Sequence, residues 1–184
     1  MLDVTDRKEA EERLRFLAYY DPITGVANRA LFLDRLAEAA SVAAANGTMV
    51  AVMCLGIDRF GVINSTLGHT IGDMVLAAAA RRLQDCLGPG GLIARAGGDR
   101  FLILTPGCHS EADVLQSVDG VVACSAQPLS LMGDEFDLTA SIGVSILPRD
   151  GVEPETVVKH ADTALMVEKS QGAVTVRLGT GERC

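Results

Sequence analysis

Apolar positions along this chain change their spacing several times, and each change marks an element. Residues 3–18 are mostly charged. Ala10, Leu14 and Leu17 form one narrow apolar stripe at helical spacing among Glu9, Glu11, Glu12, Arg13 and Arg15. The spacing predicts an N-terminal helix, with Asp6 and Glu9 placed as a capping box. So narrow a stripe either seams two chains together or packs on its own domain, and a segment this short leaves both open. Asp21-Pro22 stops the helix.

A second helix is expected from a cap at Asn28 to about Asn46, with Leu31, Leu33, Leu36 and Ala40 turned inward and Asn46-Gly47 ending it. Met49–Ile57 is an unbroken apolar run of strand length, which fits a central strand buried on both faces. A Gly- and polar-rich connection leads to a helix near Gly72–Leu87, and Gly88-Pro89-Gly90-Gly91 is a turn. Leu92–Arg95 and Arg100–Thr105 read as the arms of a hairpin with Ala96–Asp99 at its tip. Further elements are a helix near Ser110–Ala123, a strand within Glu135–Leu147, a helix over Glu153–Gln171 and a last strand at Ala173–Arg177. A leading helix followed by β-α-β-β-α-β is the order of a ferredoxin-like split βαβ sheet, an α/β (α+β) fold with helices flanking the sheet.

Composition narrows this picture. The 184 residues suffice for one domain with a short appendage, and 48% hydrophobic against 22% charged residues suits a globular core. Aromatics are only 4%, so Val, Leu, Ile and Ala must fill that core. Sixteen basic and 24 acidic residues give a net charge of -8, without the Lys/Arg cluster that nucleic acid requires, so nucleic acid is not an expected partner. The run Met49–Leu55 is too short for a membrane helix, and with no signal peptide the expected location is the cytoplasm. Cys54, Cys86, Cys108, Cys124 and Cys184 lack metal-ligand spacing and are expected to be reduced thiols.

Two constellations carry candidate chemistry. Gly97-Gly98-Asp99 sits at the hairpin tip, where adjacent glycines allow close approach of a ligand and Asp99 offers oxygens to a divalent cation. A plain two-glycine turn explains the same residues. Behind the central strand, Asn64 and Asp73 supply the amide and carboxylate needed to read a guanine edge. Asp73 is equally explained as a first-turn acid favoured by a helix dipole.

Asp21–Arg29 resembles the DxLTGLxNR motif of the GGDEF family, Asn64–Asp73 resembles NDxxGHxxGD with Ser65 for the Asp, and Arg95–Phe101 resembles RxGGDEF. Ser141–Val144 looks like the family's SIGV strand, and Ala161–Gly172 like ADxALYxAKxxG. Five motifs in order over residues 20–176 identify the chain as a member of that family. The resemblance implies a nucleotidyl-cyclase-like fold with residues 1–19 as a connector helix of the kind that follows PAS sensor domains. Residues 20–177 would form the GGDEF domain and 178–184 a disordered tail. It also implies a longer parent protein, with a PAS-type sensor and a phosphodiesterase domain as candidate neighbours.

Active members pair as dimers and condense two GTP molecules to cyclic di-GMP with Mg²⁺ or Mn²⁺. Carried over, the resemblance makes Asp99 the retained catalytic and metal-binding acid. Asn64, Asp73, Gly97, Gly98 and Lys169 become the substrate-binding residues. Gly56 stands where the family has its other metal acid, and Arg100 replaces the signature Glu. Phosphate-contacting cations are replaced by Gly61 and Ala173, leaving Lys169. Asp58 is no substitute, because the family has acids at both of those strand-end positions. The product-inhibition motif RxxD would fall at Gly88 and Gly91, so that feedback is not expected. These losses imply a degenerate regulatory or GTP-binding module, with Arg100 lending positive charge near the phosphates. The alternatives are an active diguanylate cyclase with an altered metal shell and a dimerisation domain that binds no nucleotide.

Overall fold

A computed structural model describes residues 3–171 and 176–178. Helix α1 (Val4–Tyr19) leads, then a short strand β1 (Ala27–Asn28) enters α2 (Arg29–Asn46). Asn28 caps α2 by accepting from the Leu31 amide, and Gly47 ends it in the left-handed region at φ 66°. The capping box expected at Asp6 and Glu9 does not form: Asp3 is the cap residue of α1, so both acids lie inside the helix.

β2 (Met49–Ile57) is the central strand. It is followed by α3 (Phe60–Leu67) and α4 (His69–Cys86), so the connection expected before Gly72 is helical. β3 (Leu92–Gly97) and β4 (Arg100–Cys108) form the hairpin, and α5 (Glu111–Ser125) follows with a Ser110–Asp113 capping box. A small hairpin, β5 (Leu129–Leu131) with β6 (Asp134–Phe136), precedes β7 (Ala140–Leu147), α6 (Pro154–Gln171) and β8 (Val176–Leu178). Of the last strand expected at 173–177, residues 173–175 lie outside the described residues; the described part runs to Leu178, a residue expected in the tail. Residues 179–184, with the rest of the expected tail, lie outside the described residues.

The main sheet runs β1-β3-β4-β2-β7-β8. Its four inner strands are antiparallel neighbours. Their order is that of the split βαβ sheet, with β1 and β8 added in parallel at the edges.

Alternation along β2 sorts two cores. Ala51, Met53, Leu55 and Ile57 face Val75 and Leu76 of α4 and Val114 and Val118 of α5. Val50, Val52 and Cys54 face Phe32 and Leu36 of α2 and Leu165 of α6. Of the residues expected inward on α2, Leu36 is fully buried while Leu31, Leu33 and Ala40 are partly so. Phe32, which the pattern does not single out, is also fully buried.

α6 lies directly on β7. A Cβ at Gly143 would run into the Ala161 carbonyl oxygen and the Leu165 amide, so only glycine lets helix and strand meet so closely.

α4 and α5 are linked by a Cys86–Cys124 disulfide, with Cα atoms 6.6 Å apart. This corrects the expectation of five reduced thiols: two helices on the same sheet face bring together cysteines 38 residues apart in sequence. Cys54 and Cys108 are free and buried. Among the described residues no helix is long and apolar enough to cross a membrane.

The stripe on α1 is exposed. Leu14 and Leu17 are 68% and 45% accessible and no residue of α1 is buried, so the stripe does not pack on its own domain.

Candidate functional site

The even-numbered row of β2 continues past Cys54 to Gly56. Gly56 is directly opposite Arg100 of β4 on one side and Ser141 of β7 on the other. Residues so paired share a face of the sheet. Gly56, Arg100 and Ser141 therefore form one row beneath α6. On α6, Asp162, Leu165 and Lys169 fall at i, i+3 and i+7, along one stripe of the helix. Leu165 is fully buried against the sheet, so its polar neighbours on the stripe are brought to this row.

Three carboxylates near the row have protein partners. Lys169 Nζ donates to Asp99 Oδ2 at 3.2 Å. Arg100 is paired with Asp162 through Nη1 and Oδ1. Asp58 accepts from Thr139 Oγ1 at 2.7 Å and from Ser141 Oγ at 2.8 Å. At Gly56 an added Cβ would lie 2.6 Å from both Cε and Nζ of Lys169. The lysine terminus thus fills the place where a side chain of residue 56 would begin.

The hairpin tip is built for a turn that only flexible backbone allows. Gly97 and Gly98 take φ 124° and 54°, and nothing lies within 4 Å of a Cβ added to either. Arg95 braces the tip, donating through Nε and Nη2 to the Gly98 carbonyl at 3.0 and 2.9 Å. Its Nη1 reaches Asp21 Oδ1 at 3.0 Å. The other Asp21 oxygen accepts from both the amide and the hydroxyl of Thr24.

A cavity of about 670 Å³ opens beside the row, lined by Asp58, Arg59, Ile63, Phe136, Ser141 and Lys169 among others. Arg100 lines a separate groove of about 350 Å³ with Arg29, Cys54, Lys159 and Asp162. Asn64 and Asp73 line neither; they lie on the neighbouring helices α3 and α4. Asp73 is exposed and lies beyond the first turn of α4, which begins at His69, so it is not the first-turn acid of that helix. Asn64 is half-buried, and its Oδ1 is buried beside Gly72 with no hydrogen-bond partner. A buried acceptor without a donor is uncommon, and this one is turned against Gly72 rather than toward either cavity.

The structure therefore brings Asp99, Lys169 and Gly56 together, and places Asn64 and Asp73 on an adjoining helical pair. It adds Asp162, Thr139 and Arg95, which sequence patterns gave no role. Asp162 shares the helical stripe of Lys169, which is the signal that would have found it.

The family model for "Diguanylate cyclase, GGDEF domain" matches residues 18–175. The chain belongs to the GGDEF family. It is a domain type of cyclic-di-GMP signalling.

Diguanylate cyclase TpbB of Pseudomonas aeruginosa is 35% identical over 162 residues, covering 88% of this chain and 37% of that protein. Cyclic di-GMP phosphodiesterase PdeR of Escherichia coli is 31% identical over 170 residues, covering 92% of this chain and 25% of that protein. The chain thus spans well under half the length of these relatives. The crystal structure of the TpbB GGDEF domain superposes with a TM-score of 0.80 at 35% identity, over 84% of this chain and 97% of that one. The coiled coil and GGDEF domain of DgcB from Caulobacter crescentus, solved with cyclic di-GMP, gives a TM-score of 0.78 at 29% identity, over 95% of this chain and 93% of that one.

Diguanylate cyclases of this family use Mg²⁺ or Mn²⁺, and the residues here do not fit such an ion. A hard divalent cation needs several oxygen ligands, preferably anionic. Gly56 offers none, Arg100 adds a cation, and Asp99 is engaged by Lys169.

Proposed function

We propose that this GGDEF domain is a catalytically degenerate module that binds a guanine nucleotide and regulates the protein containing it. The observation that carries this reading is the row at Gly56, where Asp58, Asp99 and Asp162 are each committed to a protein donor. Among the described residues, Asp99 is the acid retained at a family metal position, and Lys169 holds it. Support for nucleotide comes from the match of Asn64 and Asp73 to the family's guanine-reading positions, and from the accessible carboxylate of Asp73. Lys169 lines the adjacent cavity as a candidate phosphate contact. Relatives named as cyclic di-GMP phosphodiesterases carry regions similar to this chain, consistent with a regulatory role beside another catalytic domain.

Calorimetry with GTP, alongside chromatography of a concentrated incubation with Mg²⁺ or Mn²⁺, tests the reading. Binding that weakens in Asn64→Ala and Asp73→Ala, with no cyclic di-GMP formed, is the expected result. Cyclic di-GMP produced by the wild type and lost in Asp99→Ala overturns it in favour of an active cyclase.

A second role follows from the exposed Leu14 and Leu17. They make α1 a connector that seams two copies and couples the domain to a preceding sensor. Leu14→Ser/Leu17→Ser should lower the mass measured by light scattering. If the wild type is monomeric at high concentration, the seam does not exist.

A further inference from the structure

We infer that Lys169 is the resident cation of this site, occupying the space opened by Gly56 and closing the site to divalent metal. The inference rests on the reading of a degenerate site given above and says what replaces the metal.

Two features of the lysine's placement support it. The ammonium is 3.2 Å from Asp99 Oδ2, so the one acid that matches a family metal ligand already has a counter-ion. The terminal atoms of the same lysine lie where a residue-56 side chain would start, 2.6 Å from the built Cβ. An acid at 56 and this lysine conformation exclude each other. The glycine therefore does more than delete a ligand: it makes room for a protein-borne positive charge.

Position on α6 explains why the lysine reaches. Leu165 is fully buried on the sheet, and Lys169 is one turn further along the same stripe. Its aliphatic stem passes over Gly56 while the ammonium meets the hairpin tip. A single charge on a tether cannot bridge phosphate oxygens as a divalent ion does, but it balances Asp99 without one. Asp99 then remains as an anchor for Lys169, and a nucleotide bound here would be held without Mg²⁺.

The test uses Mn²⁺ alone and the intact domain. Electron paramagnetic resonance titration of wild type should show no saturable site that depends on Asp99. Gly56→Asp combined with Lys169→Met supplies the acid and removes the lysine. It should bind Mn²⁺ at least about tenfold more tightly than wild type, in keeping with how strongly ligand charge tunes such sites. Gly56→Asp alone should gain less, because Lys169 still competes.

Saturable Mn²⁺ binding by wild type that disappears in Asp99→Asn overturns the inference, and this measurement needs no variant in the strand. Equal Mn²⁺ affinity of Gly56→Asp with and without Lys169 also overturns it. Absence of GTP binding would refute the nucleotide-binding role instead, and it leaves the Mn²⁺ result standing.

Discussion

Arg95 and Asp21 are joined by a 3.0 Å ion pair that ties the glycine tip of the β3–β4 hairpin to the turn after α1. The two side chains are only 12% and 13% exposed. Arg95 also holds the Gly98 carbonyl, so one guanidinium sets both the shape of the tip and its distance from the N-terminal segment. The contact links the turn after α1 to the segment that carries Asp99.

Arg95→Met should strand a nearly buried carboxylate and release the tip. Breaking such a pair costs on the order of 3 kcal/mol. Urea unfolding should report that loss. Hydrogen exchange at Gly97 to Asp99 should quicken in the same variant.

Restoring the signature acid should not restore chemistry. Arg100→Glu would place a carboxylate against Asp162, where an ion pair now stands, while Gly56 still supplies no ligand. Stability should fall by roughly 1–2 kcal/mol. Incubation with GTP and Mg²⁺ should yield no cyclic di-GMP. Turnover by this single variant would show that Gly56 is not limiting.

Reduction should weaken the α4–α5 layer. The bond between Cys86 and Cys124 closes a loop of 38 residues, and chain-entropy reasoning puts its contribution at about 4 kcal/mol at most. Denaturant midpoints with and without reductant measure the difference. Non-reducing digestion should release one peptide pair joined through these two cysteines.

Alkaline pH should destabilise the fold through Cys54. Burial, and then the charge of Asp162, push its thiol up from 9.0 to about 12. The folded state keeps this proton where the unfolded chain gives it up. The associated stability is therefore complete below pH 9.0 and is lost as pH rises from there toward 12. Cys108 is shifted in the same direction, mainly by burial. Urea midpoints measured across this range should fall with pH, and less steeply in Cys54→Ala.

Much of the fold was legible because local signals agreed with the final packing. The apolar run of β2, the Asn28 cap and the Gly47 stop all act where the sequence places them. α3 was not legible: it has eight residues, contains Gly61, and is anchored by packing of Phe60 rather than by a cap. α4 starts at His69 behind Gly68, which provides no side-chain cap to read. At the site, the identities of Gly56, Asp99 and Arg100 were visible from motif positions. Their partners were not, because Asp162 and Lys169 meet them only when α6 is laid across the sheet. The disulfide is hidden for the same reason, since its two cysteines have no local spacing that links them.

The absent methyl at Gly143 has a reach beyond its own contact. It lets α6 settle until Ala161 and Leu165 touch the strand, and that depth fixes how far Asp162 and Lys169 extend toward the hairpin. Any side chain at 143 would raise the helix and lengthen both ion pairs together. The charge balance of the tip is thus mechanically geared to the seating of one helix. Whatever lifts or tilts α6 in a larger protein would unlock Asp99 and Arg100 in the same stroke.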